Sequence, residues 1–133
     1  MSTLRSVEII LFVSDQVASR HFYQKILGKS PDLDVPGMTE FSLSENCTLG
    51  LMPVNGIAKI LGNKTRHPAE GDGIPRCEIY LRVERVEAEF DNAVAIGAKL
   101  VSPVSARDWG DRVCYFADPD GHIIAFAEKI GVS

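Results

Sequence analysis

Two glutamates occupy matching places in two similar segments of the chain. Residues 8–13 (EIILFV) and 78–83 (EIYLRV) align at a constant offset of 70 and share Glu, Ile, Leu and Val at four of six positions. If Glu8 and Glu78 face one cavity, each raises the pKa of the other, and a cation between them relieves the repulsion. This pattern favours a cationic ligand. The alternative is that Arg82, two residues beyond Glu78, pairs with one glutamate and neutralises the site.

Both segments read as β-strands with two unlike faces. A period of two places Ile9, Leu11 and Val13 on one side of the first strand. The other side carries Glu8 and Phe12 in the first copy, and its counterpart in the second copy carries acidic, aromatic and basic groups. Such a mixed face suits a ligand cavity better than a dry core.

The only tryptophan, Trp109, precedes Gly110 and Arg112 just before another strand. An indole beside a glycine can be a stacking platform for a planar ring or a cation, or it can cover the core, and the sequence leaves both open. The predicted ligand-binding residues are Glu8, Phe12, Glu78, Tyr80, Trp109 and Arg112.

A helical pattern follows each strand, with Phe22 and Phe90 assigned to the core and Gly28 and Gly97 at the helix ends. Short strand candidates come next in both copies. Their residues are 40–44 and 48–52 in the first copy, then 99–101, 112–117 and 123–128 in the second, with a turn at 118–121.

This order predicts an α+β fold made of two βαβββ modules. Residues 4–54 form the first module, residues 55–76 a linker with one turn of helix near 57–61, and residues 77–130 the second module. The 133 residues are predicted to form a single domain, with a ligand cavity where the modules face each other.

Composition removes several classes of function. Fourteen basic and eighteen acidic residues give a net charge of −4, the wrong sign for neutralising nucleic-acid phosphates. The longest apolar run near the beginning, residues 9–13, is far too short to span a bilayer, so no membrane partner is expected. Three cysteines without a Cys-x-x-Cys pair fit a reducing compartment, and a cytoplasmic location is the expectation.

The first strand with its glutamate, the pairs Phe22-Tyr23 and Leu27-Gly28, and the ending YFADPDGH at 115–122 together resemble the vicinal oxygen chelate superfamily. This superfamily includes glyoxalase I, extradiol dioxygenases and bleomycin-resistance proteins. The resemblance covers residues 7–128. It implies two βαβββ modules whose mixed sheets curl into a cup, and a homodimer.

The resemblance also implies a test for a metal. Metal-dependent members take one ligand from the first strand and one from the last strand of each module. Glu8 and Glu78 match the first-strand positions, but Gly50 and Ala125 stand at the last-strand positions and have no ligating atom. The expected cofactor is therefore none, or a weakly held divalent metal on Glu8 and Glu78.

Three functions follow. The first is a binding protein that sequesters an aromatic or cationic small molecule. The alternative is a metal-dependent lyase or isomerase of the glyoxalase I (lactoylglutathione lyase) type, for which no catalytic residue can be assigned. The third is an interaction domain whose cup is filled by its own side chains. The histidines at 21, 67 and 122 are expected to be solvated, with His67 a possible lid contact.

Overall fold

The computed structural model describes residues 3–131 and divides into two compact units, one ending at Asp72 and the other beginning at Gly73. This boundary falls inside the segment predicted as a linker. The two units repeat the same order of elements and are described in turn.

The first unit contains a four-stranded mixed sheet with the order β1-β4-β3-β2. Strand β1 lies parallel to β4, and the other neighbours are antiparallel. Its elements are β1 (Val7–Val13), α1 (Gln16–Leu27), β2 (Leu33–Val35), β3 (Met38–Ser44), β4 (Cys47–Pro53) and α2 (Val54–Leu61).

Helix α1 is capped at both ends, and its end at Gly28 is the predicted one. The Asp15 carboxylate accepts a hydrogen bond from the backbone N–H of Ala18, and Gly28 adopts the left-handed conformation, φ 69°, that terminates the helix. The ring buried beneath the helix is Tyr23, however, and Phe22 is only partly buried. Phe22 packs edge-on against Tyr23, with 5.2 Å between the ring centroids. The core residue at this place in the helix is therefore Tyr23, and the assignment of Phe22 to the core is wrong.

The second unit repeats this arrangement with the sheet order β5-β8-β7-β6, in which β5 lies parallel to β8. The predicted pair of βαβββ modules is therefore confirmed. Its elements are β5 (Glu78–Arg82), α3 (Val86–Ala95), β6 (Lys99–Ala106), β7 (Asp111–Ala117) and β8 (Ile123–Lys129).

Three segments differ from the sequence prediction. Strand β2 was not located, because three residues are too few to show an alternating pattern. Strand β6 continues through Pro103 to Ala106 rather than ending at Val101. It is an edge strand with one register irregularity before Ser102 and a second that spans Pro103, where a residue without an N–H is tolerated. The expected linker contains the eight-residue helix α2 and two short 3-10 turns. Within residues 3–131, no helix is long and apolar enough to cross a membrane.

Candidate functional site

The sheet of the second unit has one side against helix α3 and one side turned away from it. Phe116 of β7 packs on Phe90 of α3, 5.7 Å between ring centroids, which identifies the helix side. Strand alternation then puts Val113 and Tyr115 on the opposite side. There they join Ala125 and Ala127 of β8 and Tyr80 of β5 in one hydrophobic cluster. We call this surface the tyrosine face, formed by Tyr80, Val113, Tyr115, Ala125 and Ala127.

Ala125 lies between the two tyrosines of the tyrosine face. It is paired in register with Tyr80 on one side and with Tyr115 on the other. Both rings are partly buried and pack against the small residues, and Ala125 itself is fully buried. The result is a floor of small side chains flanked by two phenol rings.

Trp109 is attached to this face through Tyr80. Its indole Nε1–H donates a hydrogen bond to the Tyr80 hydroxyl oxygen at 2.8 Å, and that hydroxyl donates to Oδ2 of Asp111 at 2.5 Å. The Trp109 side chain is nevertheless exposed, at 59%. The pKa of Tyr80 is raised above 10.0. The larger cause is the partial removal of the hydroxyl from water, and the next is its hydrogen bond to Asp111. The tyrosine therefore stays protonated and can keep donating at neutral pH.

Asp111 is the buried anion of this network, only 1% exposed. Besides the Tyr80 hydroxyl, it accepts hydrogen bonds from Nη1 of Arg82 at 3.0 and 3.2 Å, and the Arg82 guanidinium lies 5.4 Å from the centre of the Tyr80 ring. Arg82 therefore neutralises Asp111. The alternative in which Arg82 pairs with Glu8 or Glu78 is wrong. Asp111 was not selected from the sequence. Its position in β7 could have indicated it, because residues 111, 113 and 115 point to the same side of the sheet.

The turn that carries Trp109 also carries Arg107. The Gly110 N–H donates to the Arg107 carbonyl at 3.1 Å and Gly110 has φ +91°, which favours glycine at that position. The Arg107 guanidinium lies 5.3 Å from the centre of the Tyr115 ring. One turn therefore directs an indole to Tyr80 and a guanidinium to Tyr115, on either side of Ala125.

Two predicted ligand-binding residues of the second unit lie elsewhere. Arg112 forms an ion pair with Glu87 of α3, so its side chain is on the helix side and does not join Tyr80 and Trp109. Glu78 is exposed and lies in register with Ile123, at the end of β5 away from Asp111. Of the predicted ligand-binding residues in the second unit, Tyr80 and Trp109 are brought into contact.

In the first unit, Glu8 lies against Gly50. An added Cβ on Gly50 would stand 2.5 Å from Oε2 of Glu8, and 3.1 Å from Cγ1 of Ile10. The Glu8 carboxyl also hydrogen-bonds to that of Glu40, which is paired in register with Gly50. Partial loss of water, then the hydrogen bond and negative charge of Glu40, raise the pKa of Glu8 above 4.5. Phe12 is further along the same strand and side, and is exposed.

These residues do not fit the metal that the resemblance implies. The register confirms that Gly50 and Ala125 are equivalent, because Gly50 pairs with Ile10 and Ala125 with Tyr80, at the offset of 70. Neither side chain has a ligating atom. The space at Gly50, expected to admit a bulkier ligand, is filled by the Glu8 carboxylate, and Ala125 is fully buried below the tyrosines.

One further group combines two carboxylates and an imidazole: Asp118, Asp120 and His122. Asp118 accepts the backbone N–H groups of Asp120 and His122, each at 2.9 Å, and its other oxygen lies 2.8 Å from Nδ1 of His122. These bonds build the turn between β7 and β8. The expectation that His122 is solvated is therefore wrong, because its imidazole is held by Asp118. His67 caps a short 3-10 turn, in which its Nδ1 accepts a hydrogen bond from the Ala69 N–H.

Known proteins resemble this chain along most of its length. A family model described as a glyoxalase-like domain matches residues 6–131. An uncharacterized protein of Mycobacterium bovis is 31% identical over 117 residues, covering 84% of this chain and 75% of its own. The uncharacterized Bacillus subtilis protein YraH is 27% identical over 124 residues, covering 91% and 95%.

Solved structures share the fold. A glyoxalase-related enzyme from Fulvimarina pelagi superposes with a TM-score of 0.79 at 24% identity, covering 96% of this chain and 89% of its own. A glyoxalase/bleomycin resistance protein/dioxygenase from Nocardioides gives a TM-score of 0.81 at 20% identity, covering 100% and 88%.

Proposed function

The chain belongs to the glyoxalase-like family of the vicinal oxygen chelate superfamily, and from that premise we propose that it binds a planar aromatic small molecule on the tyrosine face without converting it by metal-dependent chemistry. The observation that carries the proposal is the state of Trp109, which is exposed but held by its hydrogen bond to Tyr80.

An anchored indole is suited to stacking. A free surface tryptophan loses rotamer freedom when a ligand orders it, and this loss reduces affinity. The bond from Trp109 to Tyr80, itself held by Asp111, fixes the indole before binding. A flat ring placed against it gains dispersion and burial of apolar surface at a smaller entropic cost.

The tyrosine rings favour a flat ligand for a second reason. Tyr80 and Tyr115 pack over Ala125 and Ala127, which are 0% and 1% exposed, so a ligand on this face meets phenol rings rather than the alanines. Planar rings make offset or edge contacts with phenol rings, whereas a saturated ring of similar size does not.

Binding without metal chemistry is supported by the ligand positions themselves. Catalytic metal sites generally use about three protein ligands and one open position. Gly50 and Ala125 stand at two of the four positions from which the family takes metal ligands, and neither has a ligating atom. The Glu8 carboxyl is hydrogen-bonded to Glu40. The competing function, a glyoxalase I-type lyase, would require ligands that these positions do not offer.

The single tryptophan makes a direct test possible, because a ¹⁵N-labelled sample gives one indole N–H signal in a ¹H–¹⁵N spectrum. We expect 2-naphthamide to shift that signal saturably, and decahydronaphthalene-2-carboxamide, which has the same amide and ring skeleton but no flat ring, to leave it in place. Replacing Trp109→Leu should weaken 2-naphthamide binding measured by calorimetry at least tenfold. Equal response to the two amides, or unchanged affinity in the variant, would contradict the proposal.

A second measurement separates the two functions. After dialysis, the purified protein is analysed for divalent metals and assayed, with added Zn²⁺, Ni²⁺ or Mn²⁺, for isomerisation of a glutathione hemithioacetal. We expect substoichiometric metal and no turnover above the buffer rate. A stoichiometric metal that survives dialysis, or metal-dependent turnover, would favour the lyase.

A further inference from the structure

We infer that the ligand of the tyrosine face carries a carboxylate, held by the guanidinium of Arg107 while its aromatic part lies against Trp109. The inference rests on the proposed function and adds the charge of the ligand. The juxtaposition behind it is that one turn holds an unpaired arginine over Tyr115 and an anchored indole at Tyr80.

Arg107 has a positive charge that no described residue neutralises. Its guanidinium donates one side-chain hydrogen bond, from Nη2 to the Ser102 hydroxyl at 3.2 Å, and its Nε–H is buried without an acceptor in the described part of the chain. Among residues 3–131, no carboxylate lies within ion-pair distance of it. An arginine stays protonated at every physiological pH, so this charge is permanent.

The neighbouring arginines show the contrast. Arg82, on the same side of the sheet, pairs with buried Asp111, and Arg112, on the helix side, pairs with Glu87. Asp111 is thereby neutralised, which leaves Arg107 as the uncompensated charge beside Tyr115. A cationic ligand would be repelled here, so the cation expected from Glu8 and Glu78 does not suit this face.

A carboxylate matches the donors that Arg107 leaves unused. A guanidinium presents five N–H groups in a flat fork, and two oxygens of one carboxylate can accept from two of them at once. The guanidinium lies 5.3 Å from the centre of the Tyr115 ring, and this cation–π contact stabilises its position beside the ring. The turn fixed by Gly110 holds the guanidinium on the same side of the sheet as the Trp109 indole.

The closing experiment compares 2-naphthoate with 2-naphthamide, which differ only in the charge of the group on the ring, by calorimetry at pH 7.5. We expect the wild-type protein to bind 2-naphthoate at least tenfold more tightly, and this preference to shrink as salt is added. Arg107→Gln should abolish the preference while retaining 2-naphthamide binding. Arg107→Lys should restore it in part, because the charge returns without the bidentate fork.

Arg112→Gln is the matched control, since it removes an arginine of the same hairpin from the opposite side of the sheet and should leave the preference unchanged. If both naphthalenes bind equally, or if Arg107→Gln keeps the preference for the acid, the inference is overturned and the proposed function stands. If neither naphthalene binds, the proposed function itself fails. Circular dichroism of each variant confirms that it is folded.

Discussion

The carboxylate of Glu8 occupies the space that a side chain at Gly50 would need, with Oε2 only 2.5 Å from the position of an added Cβ. The residue that matches a metal ligand on the first strand therefore fills the gap left on the last strand. Its hydrogen bond goes to a second carboxyl, that of Glu40. This pair makes the first unit sensitive to pH in a direction that can be measured.

Glu8→Gln should stabilise the protein at neutral pH. Because the folded-state pKa of Glu8 is raised above 4.5, its protonation stabilises the fold fully below 4.5, and this contribution is lost as pH rises through the folded value. The gain at pH 7.5 should be on the order of 0.5 kcal/mol, reduced by solvent screening. It should vanish near pH 4. Urea denaturation at both pH values measures it, with Glu78→Gln as the control; equal stability of the Glu8 variant and wild type at pH 7.5 would contradict the pairing.

Tyr80→Phe should destabilise the second unit and release the indole. It removes the donor to buried Asp111 and the acceptor for Trp109, at a cost of about 1–2 kcal/mol. The indole N–H signal should move toward its value in unfolded protein. Tyr115→Phe removes the hydroxyl on the other side of Ala125, for which no bond is found in the described chain, and should cost less than about 0.5 kcal/mol. Similar losses in both variants would argue against the network.

His122→Gln should destabilise the protein more at pH 6 than at pH 9. Burial of the imidazole opposes its protonation, but the hydrogen bond and charge of Asp118, with Asp120, outweigh it and raise the pKa above 6.5. The stabilisation from the charged pair is full below 6.5 and is lost as pH rises through the folded value. A loss of about 1.5–3 kcal/mol is expected at pH 6. A pH-independent difference in denaturation midpoint would disprove the ionic contribution.

Gly121→Ala should be more damaging than Gly110→Ala, although both glycines have φ near +90°. An added Cβ at Gly110 meets no atom within 4 Å, so its cost is the backbone strain of about 1–2 kcal/mol. At Gly121 the Cβ would lie 2.9 Å from the carbonyl oxygen of Gly73, and overpacking adds about 1–3 kcal/mol. Thermal unfolding of the two variants separates the cost of backbone strain from the cost of overpacking. Equal losses of stability in the two variants would show that the backbone of Gly73 moves aside.

The element order was readable because it depends on local patterns. The repeat at an offset of 70, the alternation in the strands and the glycines after the helices predicted two βαβββ modules. The equivalence of Gly50 and Ala125 came from a separate alignment of residues 46–51 with residues 121–126, and the strand register agrees with it. Strand β2 was not predicted, since three exposed residues present weak periodicity. Helix α2 was predicted only near residues 57–61, because Gly56 weakens the helical pattern at its beginning.

The candidate site was only half readable. Tyr80 and Trp109 were selected for their residue types, but their hydrogen bond joins positions 29 residues apart and no local pattern encodes it. Arg112 was selected for being near Trp109 in sequence, yet one step along a strand reverses the face, so Arg112 points to Glu87 and Asp111 to Tyr80.

By itself, then, the sequence determined the modules and their strands, because these follow from periodicity and residue type. The family resemblance then identified the two last-strand positions without metal ligands. Tertiary structure alone decided which charges are paired. Glu8 meets Glu40, Arg82 meets Asp111, and Arg107 meets no carboxylate among the described residues, since pairing depends on strand register and side-chain reach across the sheet. The gap that the alignment found at Gly50 is, in the folded chain, the place of the Glu8 carboxylate.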